Sequence, residues 1–346
     1  MKQSLSRDSG ERKAKPRHSA GDGTAEVDEA RWEAELRPST LGEYIGQENV
    51  KKSLAVMIEA AKKRGDAPDH LLFYGQAGLG KTTLANIVAR ELGVSIKVTS
   101  GPVIERAGDL ASLLTNLGEG DIFFIDEIHR LARAIGEVLY SAMEDRVLNI
   151  MVGKGVGART IALHLPPFTL VGATTRVDLV PGPLRSRFGG TFRLDYYEEE
   201  QMREIARRSA RILGIRMDEE AFGLIARASR CTPRVVNRLL KRARDFSEVH
   251  GLSSVNGKTM EDVLRMLDID DRGLEHHDRS LLSIILTQFG GGPVGVQTLS
   301  AALGEERGTI EEVYEPYLMK IGFLKRTSAG RVATEAGRQH LLERKT

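Results

Sequence analysis

At 346 residues the chain exceeds one ordinary core and suits two or three domains. Fifty Lys and Arg against 48 Asp and Glu leave a net charge of +2, so bulk charge neither demands nor excludes a nucleic-acid partner and only the placement of basic residues is informative. A single cysteine, Cys231, excludes an intrachain disulfide, no apolar run approaches the ~20 residues that span a bilayer, and the charged N-terminus lacks the apolar segment of a secretory signal, so the expected location is cytoplasmic.

Residues 1–30 are polar and charged without apolar periodicity and predict a disordered tail. The spacing of Leu54, Met57, Ile58 and Ala61 predicts a helix over 50–63. A buried strand follows over 71–74, ending at Gly75, then a helix over 81–92 and a strand over 95–99. A helix over 109–117, a second buried strand over 121–125 and a helix over 134–143 continue the alternation. Two β runs, 147–152 and 160–165, flank Gly153, Gly155 and Gly157 and predict a hairpin with a Gly-rich tip. A further strand covers 169–173. Strands alternating with helices predict an α/β fold with a parallel sheet covered on both faces.

From 198 to 268 only helical patterns occur, with a helix start at Thr232-Pro233. The polar stretch from Asp268 to Gly273 predicts a linker. Beyond it, three short helices precede Phe323-Leu324 and Arg331-Val332-Ala333, set around Thr327-Ser328-Ala329-Gly330, the pattern of a winged helix. The expected organisation is a tail 1–30, a large nucleotide-binding domain 31–197, a small helical lid 198–268 and a winged-helix domain 269–346.

The chemistry is carried by spaced motifs. Gly75-Gln76-Ala77-Gly78-Leu79-Gly80-Lys81-Thr82, between a strand and a helix, matches the G-x-x-x-x-G-K-[ST] phosphate loop. Its glycines let backbone N–H groups turn inward around phosphate oxygens, beside the positive end of a helix dipole. Lys81 then neutralises β/γ-phosphate charge and the Thr82 hydroxyl suits Mg²⁺. Ile122-Phe123-Phe124-Ile125 delivers Asp126 and Glu127 to the strand end where ligands of such sheets bind. Asp126 is placed to hold the Mg²⁺ shell and Glu127 to polarise the attacking water. His129 beside this acid pair reads as a structural or coupling residue. At the end of the next strand, Thr175, with Thr174 as the alternative, can reach between the carboxylates and the γ-phosphate. Arg187, with Arg185 as the alternative, can stabilise transition-state charge across a subunit boundary. Arg234 opens a helix, where an arginine is unfavourable unless an anion is near, so a phosphate contact and a solvated arginine both remain open.

Together these pieces resemble the AAA+ ATPases. The combination narrows the resemblance to the RuvB family of bacterial Holliday-junction branch-migration ATPases. It consists of Leu36-Arg37-Pro38, Tyr44-Ile45-Gly46-Gln47, Gly75 to Thr83, Phe124 to Arg130, Gly172 to Arg176, Pro183 to Gly189, Thr232-Pro233-Arg234, Gly304 to Arg307 and Gly322 to Thr327. The resemblance covers the chain from about Leu36 to its end. It implies a homohexameric ring on the duplex arms of a four-way junction, using ATP and Mg²⁺ in recombination, repair and the SOS response. It implies that the 147–165 hairpin docks on RuvA, with RuvC a further candidate partner. It implies a nucleotide pocket that includes Leu36, Arg37, Gly78, Gly80, Lys81, Thr82, Thr83, Tyr197 and Arg234, with Glu144, Asp145, Arg146 and Arg187 near a neighbour's nucleotide. One departure is Cys231, which stands where the family usually has glycine before Thr-Pro-Arg.

At the C-terminus Lys325, Arg326, Arg331, Arg338, Arg344 and Lys345 outnumber Glu335 and Glu343. A basic wing predicts phosphate contacts from Arg307, Arg326 and Arg331, without base choice and with steep salt dependence. Phe323 is the lone aromatic of that stretch, so duplex grip is favoured over stacking on single strands. The runner-up readings are a clamp-loader-like or initiator-like switch and a protein-remodelling adaptor.

Overall fold

The computed structural model describes residues 35–152 and 159–343. The expected tail 1–30, the hairpin tip with Gly153, Gly155 and Gly157, and Arg344 and Lys345 lie outside them. The chain divides into two units, the first ending at Arg37 and the second beginning at Pro38. In the first, Leu36 is buried. Everything below concerns the second.

Five strands form a parallel sheet: β1 (Leu71–Tyr74), β2 (Ile96–Ser100), β3 (Ile122–Asp126), β6 (Thr169–Thr174) and β7 (Gly190–Arg193), in the order β2-β3-β6-β1-β7. β4 (Val147–Val152) and β5 (Arg159–His164) pair separately as an antiparallel hairpin. β1, β3 and β6 read as unbroken apolar runs because both faces are covered. Leu71, Phe73, Ile122, Phe124, Val171 and Ala173 face Leu84, Ile87 and Val88 of the helix Lys81–Leu92. Leu72, Phe123, Ile125 and Leu170 share the opposite core with Leu110 and Leu114, and with Ile135 and Leu139 of the helix Arg133–Glu144. Side chains alternate along a strand, so Asp126 falls on the face of Ile122 and Phe124, toward the helix that begins at Lys81.

Expected boundaries hold to within a residue or two in this sheet. β7 escapes the sequence reading, since an edge strand of four residues with a mixed burial pattern carries little periodic signal. The helix expected to open at Asp109 spans Ala107–Thr115, because the Asp109 carboxylate reaches back to the Arg106 N–H, 2.9 Å away.

The lid holds four helices: Glu199–Ile212, Glu219–Ala228, Pro233–Val249 and Gly257–Met266. Asp218 and Asn256 cap two of them, accepting from Ala221 N–H at 2.8 Å and Thr259 N–H at 2.9 Å. Its apolar face joins the core of the P-loop side of the sheet. The winged-helix region builds its own core from helices His276–Gln288 and Val296–Leu303, a helical segment over 307–320, and the strands β8 (Leu324–Thr327) and β9 (Gly330–Ala333). A last helix, Glu335–Glu343, was not anticipated. Among the described residues no helix is long and apolar enough to cross a membrane.

The polar stretch 268–273 joins the lid helices to the winged helix and is tied down: Asp270 is buried, its carboxylate accepting from Leu274 N–H at 2.7 Å and Arg272 N–H at 3.0 Å. Its second oxygen lies 2.9 Å from His340 Nε2, tying down the last helix. Arg331, expected on the DNA-gripping wing, is buried. Its guanidinium bonds Glu315 at 2.6 and 3.1 Å and Glu311 at 3.0 Å. The buried Glu315 holds it there, and Glu311 relieves the like-charge pair that Arg331 makes with Arg326 directly across the hairpin. Arg331→Ala would leave the Glu315 carboxylate buried and unpaired, so urea unfolding is expected to show a loss of about 3 kcal/mol. A variant of unchanged stability would contradict this placement.

Candidate nucleotide site

Three glycines bend the chain between β1 and the helix Lys81–Leu92. Gly75, Gly78 and Gly80 hold φ of 144°, 81° and 99°, where side chains are strained. Space excludes them too. A Cβ on Gly78 would stand 3.1 Å from the Arg234 Cβ, and one on Gly80 would strike the Tyr44 hydroxyl. Tyr44 donates to the Leu79 carbonyl at 3.0 Å, and the Tyr197 hydroxyl donates to Tyr44 at 2.9 Å. Both tyrosines are buried. Tyr197, implied as a pocket-lining residue, thus reaches the cradle from behind, through the Leu79 carbonyl. Burial raises the Tyr44 phenol well above its usual range and pushes Tyr197 up to about 12.

Lys81 is buried at the helix start and donates to the Gly75 and Gln76 carbonyls, both at 2.8 Å. Burial pulls its ammonium down to about 8. Asp126 opposes this shift, Arg234 adds to it and Glu127 opposes it, so these three charges surround Lys81. The lid therefore meets the phosphate loop through Gly78 and Arg234, as a phosphate-facing Arg234 requires.

Glu127 takes a left-handed conformation (φ 47°), and its N–H donates to Asp126 Oδ1 at 2.9 Å. Its carboxylate pairs with Arg130 at 2.9 Å on a half-exposed surface. His129 Nδ1 lies 2.8 Å from Thr174 Oγ1. Arg176 N–H donates to the same oxygen at 2.9 Å, so the hydroxyl proton is available to the ring. Burial lowers the His129 pKa, which favours that neutral acceptor. Thr174 is thereby committed to His129, while Thr175 is half-buried one residue further on.

Arg187 is elsewhere. Its guanidinium bonds Glu144 at 2.9 Å and the Pro183 carbonyl at 2.6 Å, and lies 4.9 Å over the Tyr140 ring. It lines a cavity of about 370 Å³ with His70, Met143, Arg146 and Phe188, apart from Lys81. Glu144, Asp145 and Arg146 are exposed at the end of the helix Arg133–Glu144. The structure thus gathers Lys81, Asp126, Glu127 and Arg234 at one site and Arg187, Glu144 and Arg146 at another. Tyr44 was legible as part of a motif but without a role, because its task is a hydrogen bond to a carbonyl distant in sequence.

Arg230 and Cys231 both hold positive φ, 54° and 56°, just before the helix of Arg234. Such a backbone favours glycine, the residue that the family resemblance implies at position 231. Cys231→Val is expected to cost at least ~1 kcal/mol in thermal unfolding, since a β-branched residue is an outlier there; an unaltered Tm would refute the strain.

The Lys81 shift has a sign. Below pH 8 the charge is present and its burial opposes folding; that cost fades as pH rises toward the ordinary lysine value. Bound phosphate favours the charged form. ATP binding near pH 8 is therefore expected to take up about half a proton, read by calorimetry in buffers of differing ionisation enthalpy. Affinity should fall as pH rises further, and absence of uptake would mean Lys81 is fully charged in the free protein.

Comparison with known proteins covers nearly all of the described chain. Residues 36–194 match the Holliday junction DNA helicase RuvB P-loop domain, 197–270 the RuvB AAA lid domain and 271–342 the RuvB C-terminal winged helix domain. The chain is 55% identical over 315 residues to the Holliday junction branch migration complex subunit RuvB of Dehalococcoides mccartyi, covering 91% of this chain and 90% of that protein. The Thermotoga maritima RuvB Holliday junction branch migration motor superposes with a TM-score of 0.81 at 48% identity, over 89% of this chain and 98% of that one. A lysine-to-arginine variant of the same RuvB gives a TM-score of 0.82. With a phosphate cradle, an acid pair, a lid arginine and a winged helix in this order, and with these relatives, the chain belongs to the RuvB family of P-loop AAA+ proteins.

Proposed function

We propose that this chain is the ATP-driven motor of Holliday-junction branch migration, working as a homohexameric ring on the duplex arms together with RuvA, with RuvC a further partner. The carrying observation is the separation of the two clusters described above. Lys81, Asp126 and Glu127 form a site without an arginine finger, while Arg187 sits in another cavity with Glu144 and Arg146. A second copy is needed to bring them together.

The oxygen donors Thr82 and Asp126 suit Mg²⁺, a hard cation that would neutralise charge on the β- and γ-phosphate oxygens. Gly78, Gly80, Lys81, Thr82 and Thr83 hold the phosphates, Tyr197 completes the pocket, and Arg234 brings the lid onto the γ-phosphate. Glu127 leaves Arg130, orients the attacking water and accepts its proton. As the new P–O bond forms, the β–γ bridge breaks and Lys81 with a neighbour's Arg187 balances the charge. Thr175 positions the water and the γ-phosphate between Asp126 and Glu127. Arg307 and Arg326 remain as phosphate contacts on the winged helix, both more than half exposed. The β4–β5 hairpin is the RuvA docking element.

Variants of the Thermotoga maritima RuvB fall at matching positions. They alter a lysine, an alanine, a threonine, a proline and an arginine. At one constant numbering offset those residue types recur here as Lys81, Ala173, Thr175, Pro233 and Arg187.

Glu127→Gln is expected to bind ATP normally while kcat falls ~10²–10⁴-fold. Normal turnover would remove Glu127 as the base. Lys81→Ala and Arg187→Ala should each be inactive alone yet regain ATPase activity when mixed, because mixed rings contain complete interfaces; a mixture that stays inactive argues against a shared site. ATP-dependent, RuvA-stimulated conversion of a synthetic four-way junction into duplex arms tests the function itself. Vigorous hydrolysis without conversion would favour a loader-like switch.

A further inference from the structure

The helical segment over 307–320 contains a π turn, Ile310–Tyr314. Its cause is Pro316, which has no N–H to offer the Glu312 carbonyl and whose ring crowds it. Glu315 N–H reaches back to the Ile310 carbonyl, five residues away. The widened turn presents three consecutive residues to three different parts of the molecule. Glu311 binds the wing side, meeting Arg307 and Arg331 at 3.0 Å and Arg326 at 3.7 Å. Glu312 crosses to the ATPase sheet and pairs with Arg176 at 3.1 Å. The Val313 carbonyl accepts from Arg230 of the lid at 3.2 Å.

The two cross-domain contacts differ in kind. Arg230 also pairs with the buried Asp278 at 3.1 Å and lies 4.8 Å over the Tyr317 ring, so the lid and winged helix are pinned as one body. Arg176 and Glu312 are partly exposed, and such a pair adds little stability and breaks readily. Yet Arg176 adjoins Thr175, and its N–H bonds Thr174, which holds His129 beside the acid pair. Any displacement of the loop after β6 moves Arg176.

We propose that the π turn is the coupling element between the nucleotide site and the DNA-gripping wing, with Glu312 and Arg176 as positioning residues that link the loop after β6 to the winged helix. This rests on the motor reading above. Glu312 touches neither phosphate nor duplex. Its task is to hand the loop's position to the same turn that, through Glu311, orients Arg307 and Arg326.

The test uses full-length protein and measures basal ATPase, duplex-stimulated ATPase, KM for ATP and duplex Kd in parallel. Glu312→Gln is expected to keep basal kcat, KM and duplex Kd within about twofold while DNA stimulation falls about fivefold, the scale of modest intersite coupling. Arg176→Glu should lose stimulation similarly, and the swap Arg176→Glu with Glu312→Arg should restore at least half of it. Pro316→Ala, which permits a regular α-turn, should also lose stimulation. Unchanged stimulation in Glu312→Gln, or loss traced wholly to weaker duplex binding, overturns the proposal. If the wild-type ATPase itself does not respond to DNA, the motor reading falls and the coupling with it.

Discussion

The structure depends on one tight backbone turn. Between Gly75 and Gly80 the chain must reverse from a strand into a helix while leaving its N–H groups pointing inward. Glycine alone fits φ of 81° and 99° at positions where neighbouring atoms already fill the space of a side chain. Tyr44 and Tyr197 hold the turn from behind, and the lid closes on it in front. A phosphate cradle of this kind is not a flexible loop awaiting a ligand, because its carbonyl at Leu79 and its lysine are both already bonded.

That commitment sets the electrostatics. Lys81 is buried among its own loop carbonyls, and its ammonium survives there because Asp126 and Glu127 are near. Two of the charges proposed to serve hydrolysis are held in surface pairs: Glu127 with Arg130, Arg187 with Glu144. Both pairs are partly exposed, so exchanging either partner for a nucleotide or a second copy sacrifices little stability. By contrast the Arg331–Glu315 and Arg230–Asp278 pairs are buried and act as fixed joints. Burial, more than distance, separates the joints from the switches.

The placement of the wing arginines follows the same division. Three arginines share Glu311, yet one is locked inside and two face solvent. A basic stretch in the sequence therefore overstates the charge offered to DNA.

Much was legible before any coordinates. The phosphate loop, the acid pair and the strands beside them are set by local patterns: continuous apolar runs, glycine spacing and a helix start. A one-dimensional pattern suffices because backbone geometry and solvent exclusion act over a few residues. The positive φ at Cys231 accords with the glycine that the family resemblance implies there. What the sequence alone could not determine are the facts that depend on distant partners. Arg331 and Arg326 look alike in a row of basic residues, and it is the buried Glu315, sixteen positions away, that takes in Arg331. Asp270 reads as one more polar linker residue until His340, seventy positions later, packs against it. The choice between Thr174 and Thr175 turns on His129, and the isolation of Arg187 from Lys81 on where two helix ends fall in space. Pairing across the fold is a tertiary event, since it sets desolvation against Coulomb attraction at sites that local periodicity does not encode.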